Sequence, residues 1–375
     1  MKILSVRCRL ISSPVKGTKI HGQSKNLKTV AIIEAKTKSY TGYGEAYVGI
    51  YIPEITYKII QSLEIEFINL DIEEAIHKIA NFKIPFASNA GIYRSIIGSI
   101  EISFYDLKAR SKNIPLYKLF TEIASLPKLY ASGGSVISGV KELEKDFNLA
   151  ESQGFDSFKM RVGKKEWQED VKRVDYAKNR FPNHLMVDSI YGTRSMNVDF
   201  NTQLAMYKEL EQFDLVWLEE PLPVEDISMH YLLRNNLSIP LAAGEAYSSL
   251  TEFEALINVS GIDIVQFDVT QSGGMLNSLK VFNMAIEKKK KTAFHVWGSM
   301  VAEMANFHLA LAMKELYFFE VPLLELVFNE DIHQEKHETA FELFSTIPES
   351  PGLGISIDDS TFDKYNYVSG TEYKW

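Results

Sequence analysis

The chain has 375 residues, and 46% of them are hydrophobic, which is enough for a large buried core and for two domains or one barrel with an attached unit. Its formal net charge is −9, and the sequence shows no basic face of the kind that general nucleic-acid binders carry. No apolar run reaches the roughly 18 residues of a membrane helix. The single cysteine excludes an intramolecular disulfide, and arginines interrupt any signal-peptide core, so we predict a cytoplasmic protein without nucleic-acid or membrane partners.

The first third of the chain has the pattern of a separate α+β unit. Its predicted elements are strands at residues 2–12 and 28–35, a sheet end at 42–47, and helices at 71–81 and 89–109. Between the first two strands, the polar segment 13–26 carries His21 and predicts a mobile loop. Because this loop is polar, it favours a polyhydroxylated substrate if it reaches the active site.

From about residue 128, short apolar runs alternate with amphipathic stretches. Eight runs follow one another at roughly 24 to 30 residues, which is the repeat of a strand plus a helix. They begin at Leu129, Phe158, Met186, Val216, Leu241, Ile264, Ala293 and Phe318. Eight such units predict a (β/α)8 barrel. A doubly wound open sheet has the same alternation, and periodicity alone does not choose between the two.

A polar or ionisable residue follows nearly every one of these runs. These residues are Ser132, Lys159, Arg161, Asp188, Glu219, Glu220, Glu245, Asp268, His295 and Glu320. In a barrel, the carboxyl ends of the strands converge at one mouth, where barrel enzymes keep their active sites. The sequence therefore predicts an active site built from these strand ends.

Three of these residues, Asp188, Glu219 and Glu245, are carboxylates that end successive predicted strands. Carboxylates held together repel each other strongly unless a cation neutralises them. An all-oxygen set favours a hard ion, Mg²⁺ before Mn²⁺, and the absence of histidine and cysteine from the set argues against zinc. We therefore predict a Mg²⁺ site.

The remaining strand ends predict groups for acid–base chemistry and for substrate binding. Asp268 and His295 end the sixth and seventh strands, so the aspartate would orient the imidazole and raise its pKa, making a general base. Lys159 and Arg161 are two residues apart on one strand and point to the same face, where they suit a carboxylate ligand.

Several strings, taken in order, resemble the mandelate racemase subgroup of the enolase superfamily. In the barrel half, they are 216–223 (VWLEEPLP), 243–245 (AGE), 266–274 (QFDVTQSGG) and 295–297 (HVW). In the N-terminal unit, they are 42–45 (GYGE), 99–108 (SIEISFYDLK) and 114–116 (IPL), which resemble the capping-domain signature of the family. The similarity covers almost the whole chain.

The resemblance implies a (β/α)8 TIM-type barrel with an N-terminal α+β capping domain that the C-terminal segment completes. We place the boundaries at residues 1–125 for the capping domain, 126–345 for the barrel and 346–375 for the returning segment. The family also implies a small-molecule carboxylate as substrate and a homo-oligomeric assembly.

The resemblance further implies a role for each matching residue. Mg²⁺ would be held by Asp188, Glu219 and Glu245. His295, paired with Asp268, would be the acid/base on one face of the substrate. Lys159 matches the first member of a Lys-x-Lys motif that helps to bind the substrate carboxylate, and Glu320 would donate a hydrogen bond to that carboxylate. Loops near His21 and Tyr47 would close over the site and choose the substrate.

Two positions depart from the family pattern. Arg161 stands where the subgroup usually has a second lysine, the base on the opposite face, and Ile190 stands where the family often has an asparagine. A racemase needs a base on each face, and arginine, with a pKa above about 12, is a poor base at neutral pH.

A single dyad predicts an acid-sugar dehydratase, a lyase of sugar acid catabolism that forms a 2-keto-3-deoxy acid. Lys159 could still serve as a second base, so a racemase, epimerase or cycloisomerase is the alternative. A barrel that has lost catalysis and acts as a binding protein is a second alternative.

Overall fold

A three-stranded antiparallel sheet begins the chain in the computed structural model, which describes residues 1–16, 26–85, 88–190 and 198–373. The strands are β1 (Ser5–Lys16), β2 (Leu27–Lys36) and β3 (Thr41–Ala46). β1 pairs with β2 from Ser5 opposite Lys36 to Pro14 opposite Leu27. The strand predicted to end at residue 12 therefore runs four residues further, into the segment predicted as a loop. Its alternation continues to the buried Val15, but the polar residues before Val15 hide that pattern in the sequence.

Three helices follow this sheet: α1 (Pro53–Leu63), α2 (Ile72–Ala80) and α3 (Gly91–Ser111). α2 and α3 confirm the two predicted helices, whereas α1 was not predicted. α3 packs so closely on β3 that side chains would clash at two glycines. A Cβ atom at Gly42 would lie 2.2 Å from the carbonyl oxygen of Ser103, and one at Gly44 would lie 2.3 Å from that of Ser99. Glycine at these two positions is thus required by the contact between sheet and helix.

Eight parallel strands close into a barrel in the order of the chain. They are β4 (Leu129–Ser132), β5 (Phe158–Val162), β6 (Leu185–Ser189), β7 (Leu218–Glu219), β8 (Leu241–Ala243), β9 (Ile264–Phe267), β10 (Lys291–Phe294) and β11 (Phe318–Pro322). All eight predicted runs are strands. β11 pairs with both β10 and β4, so the sheet is a closed barrel and the open-sheet alternative is wrong.

Helices follow the first seven barrel strands on the outside. They are α4 (Val140–Gln153), α5 (Trp167–Arg180), α6 (Phe200–Leu210), α7 (Ile227–Arg234), α8 (Leu250–Val259), α9 (Met275–Glu287) and α10 (Met300–Ala310). The helices α4, α5 and α8 bury residues on one face, as expected for helices around a barrel, whereas α10 is buried at every residue from Val301 to Ala310.

The interior of the barrel holds its own cluster of buried side chains, separate from the main core. Its members are Tyr130, Met186, Trp217, Ala242, Ile264, Ala293 and Phe318. The ring of Trp217 packs edge-on against Tyr130 at 5.5 Å and Phe318 at 5.7 Å between ring centroids. We call this cluster the barrel floor, because it lies below the strand ends that carry the polar residues.

The chain after the barrel returns to the first sheet. A short strand, β12 (Glu325–Leu326), pairs with the end of β1, and it is followed by α11 (Val327–Ile332), α12 (Ala340–Phe344) and α13 (Asp359–Lys364). Beyond α13, the carbonyl of Tyr365 accepts a hydrogen bond from the amide of Ser12 at 3.0 Å. The boundaries at residues 125 and 345 stay a prediction.

Within the described ranges, none of the helices combines the length and the apolar character that crossing a bilayer requires.

Candidate active site

The register of the barrel brings two of the three predicted metal ligands, Asp188 and Glu219, to one level of the mouth. Arg161 on β5 lies opposite Asp188 on β6, and Asp188 lies opposite Glu219 on β7. Glu219 in turn lies opposite Ala242 on β8, three residues before Glu245. Asp188 and Glu219 are 8% and 0% exposed, so the mouth buries carboxylates on neighbouring strands.

Each of these carboxylates faces a cation of the chain itself. The pairs are Lys159 with Glu219 and with Glu320 (2.9 Å to Glu320), Arg161 with Asp188 (3.4 Å), and His295 with Glu245 (3.5 Å). The ammonium group of Lys159 is fully buried between two carboxylates. Because burial of an unpaired charge is very costly, these contacts neutralise the site.

The donor set fits a hard divalent cation in its chemistry. Burial raises the pKa of Asp188, Glu219 and Glu245, and repulsion from neighbouring carboxylates adds to it, while Lys159 opposes it. Among the described residues, however, no three histidine, cysteine or acidic side chains converge closely enough to hold a metal ion. The carboxylates instead surround the cations of the chain, so their oxygens would have to exchange Lys159 or His295 for the ion.

Two buried side chains fix the orientation of Glu219. Its Oε2 atom accepts hydrogen bonds from the indole N–H of Trp217 at 2.9 Å and from the amide of Gln266 at 2.8 Å. Trp217 belongs to the barrel floor, so the floor supports the carboxylate directly. Neither residue could be assigned from the sequence, because the contact of Gln266 depends on side-chain positions across three strands.

Glu220 has a different role from Glu219. Its backbone is left-handed, with a φ of 42°, and its Oε1 atom accepts a hydrogen bond from the amide of Gly244 at 2.8 Å. The other carboxylate oxygen is buried and has no hydrogen-bond partner among the described atoms. Burial raises the pKa of Glu220 well above its usual value. Glu220 therefore supports the turn before Glu245.

The structure brings His295 and Asp268 together as a dyad. The Nδ1 atom of His295 lies 3.2 Å from Oδ2 of Asp268. The other oxygen of Asp268 accepts hydrogen bonds from the amide and hydroxyl of Thr270, at 2.9 and 2.7 Å, and from the side chain of Asn306, at 2.9 Å. Asp268 is thus held rigidly and fixes the imidazole ring, with Nε2 directed to Glu245.

The charges around His295 favour its protonated form. Burial by itself lowers the pKa of the imidazole, but the carboxylates of Glu245, Asp268 and Glu320 outweigh burial and raise it to about 9. At neutral pH the ring is therefore an imidazolium in this structure. A group that offsets the charge of Glu245 would return the pKa of His295 toward neutrality, where a general base is most effective.

Glu320 lies beside Lys159 in an ionised state. Its Oε2 atom accepts a hydrogen bond from the amide of Val296 at 2.9 Å. Burial raises the pKa of Glu320, but Lys159, His295 and Arg161 outweigh burial and hold that pKa well below its usual range. An ionised carboxylate only accepts hydrogen bonds, so donation from Glu320 to a substrate requires that it first gain a proton.

The two positions expected to choose the substrate have different outcomes. The ring of Tyr47 lies edge-on to that of His295, with 5.8 Å between the ring centroids, so the structure brings Tyr47 to the site. His21 lies outside the described residues. Arg161 lines the same region, with its guanidinium 5.7 Å from the ring centroid of Trp297.

A buried polar cluster between the first sheet and the barrel was not predicted. The ammonium of Lys28 lies 3.7 Å from the ring centroid of Trp297 and donates a hydrogen bond to the carbonyl of Gly298. Glu45 accepts hydrogen bonds from the amides of Ser299 and Ala302 at the start of α10. The signal for this cluster was a charged residue inside an apolar strand pattern.

The closed barrel, the acidic strand ends and the dyad define an α/β-barrel enzyme. The Enolase C-terminal domain-like family model matches residues 142–361. The chain belongs to the enolase superfamily and is mandelate racemase-like.

Three curated relatives extend over most of the chain. L-talarate/galactarate dehydratase of Salmonella typhimurium is 30% identical, covering 88% of this chain and 83% of the relative. Arabinonate dehydratase of Saccharolobus solfataricus is 25% identical, covering 93% and 94%. N-succinyl-L-Arg/Lys racemase of Bacillus cereus is 27% identical, covering 71% and 70%.

Solved structures share the fold over nearly the whole chain. An enolase superfamily member from Polaromonas sp. JS666 has a TM-score of 0.83 and 20% identity, covering 100% of both chains. The 3,6-anhydro-D-galactonate cycloisomerase from Zobellia galactanivorans has a TM-score of 0.80 and 22% identity, covering 97% and 99%. A mutant of L-talarate/galactarate dehydratase liganded with Mg and L-glucarate has a TM-score of 0.81 and 23% identity, covering 98% and 92%.

Proposed function

We propose that the chain is a Mg²⁺-dependent acid-sugar dehydratase, which removes the proton next to a carboxylate and then eliminates water to give a 2-keto-3-deoxy acid. The observation that carries this proposal is the pairing at the mouth. Nδ1 of His295 lies 3.2 Å from Asp268, while the ammonium of Lys159 is buried between Glu219 and Glu320. His295 is thus held as one acid/base, while Lys159 is paired with two carboxylates before Mg²⁺ binds.

The proposed metal site uses the carboxylates of Asp188, Glu219 and Glu245. Bound Mg²⁺ would supply positive charge where the enediolate develops its negative charge. Lys159 and Arg161 lie on the same face of β5 and would bind the substrate carboxylate from the side opposite His295.

The dyad can perform both proton transfers of a dehydration. Nε2 of neutral His295 takes the α-proton, and Asp268 stabilises the imidazolium that forms. The same imidazolium then gives that proton to the departing β-hydroxyl, so the C–O bond breaks with loss of water and the ring returns to its neutral form. The enol that remains becomes a 2-keto acid on protonation at C3.

The side chain of Arg161 argues against the racemase, epimerase and cycloisomerase alternatives, because it stands where the subgroup usually has a second base. Burial lowers the pKa of Lys159, but Glu219, Glu320 and Asp188 outweigh it and raise that pKa above its usual value. Arg161 stays protonated at neutral pH and is a poor base, whereas Mg²⁺ bound to Glu219 and Asp188 would offset part of this effect on Lys159. Two of the curated relatives described above are dehydratases, which supports the same choice, whereas the Bacillus cereus relative is a racemase.

We also propose that the first sheet, α1–α3 and the returning C-terminal segment form a capping domain over the mouth. Among the described residues, Tyr47 of this domain lies beside His295. The partner that the cap and barrel enclose would be a small polyhydroxylated carboxylate.

A 2-keto acid assay over a panel of aldonic and aldaric acids with Mg²⁺ tests the proposal. We expect at least one acid to give a 2-keto product, and His295→Asn to abolish both the product and exchange of the α-proton with solvent deuterium. Exchange with inversion at Cα and no keto product would favour a racemase. Neither exchange nor Mg²⁺ binding would favour the binding-protein alternative.

A further inference from the structure

A row of aromatic side chains runs from the C-terminal residues of the described chain to the catalytic dyad. The ring of Tyr373 lies edge-on to Tyr51, with 5.7 Å between centroids, and Tyr51 lies 5.6 Å from Tyr47. The hydroxyl oxygens of Tyr47 and Tyr51 are 3.2 Å apart. Tyr47 in turn lies edge-on to His295, so each ring positions the next.

The backbone reinforces this contact. The amide of Tyr373 donates a hydrogen bond to the carbonyl of Ile50 at 2.9 Å. Two residues earlier, the buried hydroxyl of Thr371 lies 2.9 Å from that of Ser12 and 2.7 Å from that of Thr29. Residues 371–373, which we call the tail, are therefore anchored on β1 and β2 through Thr371, before Tyr373 reaches the segment that carries Tyr47.

Residues 47–51, which we call the cap segment, need such support. Tyr47–Ile50 is a single 3-10 turn, and the amides of Tyr51 and Ile52 both donate to the carbonyl of Val48, at 3.1 and 2.9 Å. One 3-10 turn is too short to hold its own conformation, so its order must come from tertiary contacts. Tyr373 supplies one such contact to the side chain and one to the backbone.

We propose that Tyr373 is a positioning residue for the active site, which acts through Tyr51 to hold Tyr47 against His295. This inference rests on the proposed function only in that Tyr47 faces the substrate. The tail would then influence substrate binding without touching the reacting atoms. Because it acts on the cap segment and not on the dyad, its effect should fall on KM more than on kcat.

The test compares Tyr373→Ala with Tyr373→Phe, which keeps the ring and removes only the hydroxyl. For Tyr373→Ala, we expect KM to rise about fivefold with kcat within twofold, as loss of an edge-to-face contact predicts. We expect Tyr373→Phe to restore both values. Tyr231→Ala, a change at a tyrosine that is 55% exposed on α7, is the control and should alter neither.

Hydrogen exchange supplies a readout that does not depend on activity. In Tyr373→Ala, the amides of Tyr51 and Ile52 should exchange about tenfold faster, and Tyr373→Phe should restore their protection. Tyr51→Ala should raise KM as much as Tyr373→Ala. The double variant should have a KM no higher than either single variant, because both substitutions remove the same series of ring contacts from Tyr373 to Tyr47.

Unchanged exchange at Tyr51 and Ile52 in Tyr373→Ala, or an unchanged KM, would overturn the inference. If Tyr373→Ala does not fold, Tyr373→Leu, which keeps apolar bulk but has no ring edge, decides the question in the same assays. If exchange responds but the wild type dehydrates no acid sugar, the proposed function fails while the positioning contact stands.

Discussion

The two adjacent glutamates at the end of β7 give a matched pair for testing the metal site. Glu219 faces the mouth and the ammonium of Lys159, whereas Glu220 accepts a hydrogen bond from Gly244. We expect Glu219→Gln to lower Mg²⁺ affinity and to reduce activity at least about 10³-fold, because the proposed site would lose a ligand charge where the enediolate would form. Glu220→Gln should leave Mg²⁺ affinity unchanged, since burial already favours the neutral form of Glu220. Calorimetric titration with Mg²⁺ measures both, and equal loss in the two variants would contradict the assignment.

The pKa of His295 should report Mg²⁺ binding. Without a metal, Glu245 and the neighbouring carboxylates raise that pKa to about 9, against the effect of burial. A cation on Glu245 cancels part of this attraction for the proton, so the pKa of His295 should fall when Mg²⁺ is added. NMR titration of the imidazole with and without Mg²⁺ checks the shift. A pKa that stays the same or rises on addition of Mg²⁺ would show that the ion binds elsewhere.

Individual site residues were predictable where the chemistry follows the strand period. Three site residues each follow an apolar run: Asp188, Glu219 and His295. Their position at the carboxyl ends of the barrel strands could therefore be predicted from the sequence. Their partners could not, because the hydrogen bonds of Gln266 and Asn306 depend on positions across strands and on the packing of α10. The contact of Lys159 with two carboxylates likewise depends on closure of the barrel.

At the scale of the elements, Glu101 should make stability depend on pH. It lies on α3, is 2% exposed and accepts a hydrogen bond from the amide of Leu276 in α9 at 3.3 Å. Burial raises its pKa to about 7, so the folded state holds this proton more tightly than the unfolded chain does. The stabilisation is complete below the unfolded pKa of about 4.3 and is lost as the pH rises through about 7, by at most about 4 kcal/mol.

The variant Glu101→Gln should remove this part of the pH dependence. We expect its Tm to fall by about 4 °C less than that of the wild type between pH 5 and pH 7.5. Glu73→Gln, at a position whose side chain is 67% exposed, is the control and should behave as the wild type. If Glu101→Gln and the wild type lose the same Tm over this range, the buried carboxyl of Glu101 does not titrate as described.

Whole elements were predictable in proportion to their periodicity. The eight barrel strands and the helices α2 and α3 have clear apolar patterns, and the structure confirms them. The short strand β12 was missed, since two residues carry no pattern and its pairing with β1 joins parts of the chain about 310 residues apart. The same holds for the contact between the tail and the cap segment, which only the folded chain brings together.

At the scale of the whole molecule, the proposed cap and the barrel share buried contacts on several sides. The hydroxyls of Ser95 and Ser99 on α3 donate to the carbonyl of Thr270 after β9, at 3.0 and 3.2 Å. On another side, Glu45 of β3 binds the start of α10, and β12 extends the sheet of the cap. The proposed cap is thus fixed to the barrel by buried contacts, and Tyr47 of the cap segment lies beside His295.

The barrel floor has a consequence for the order of events in turnover. Within the described residues, Trp217, Tyr130 and Phe318 fill the interior below Glu219, and we therefore expect no passage to the opposite end of the barrel. Substrate and product of the proposed reaction would then use one opening, and the product would have to leave before the next substrate enters. We expect the product to inhibit competitively against the substrate in initial-rate measurements. Noncompetitive inhibition would mean that product and substrate occupy the protein at the same time.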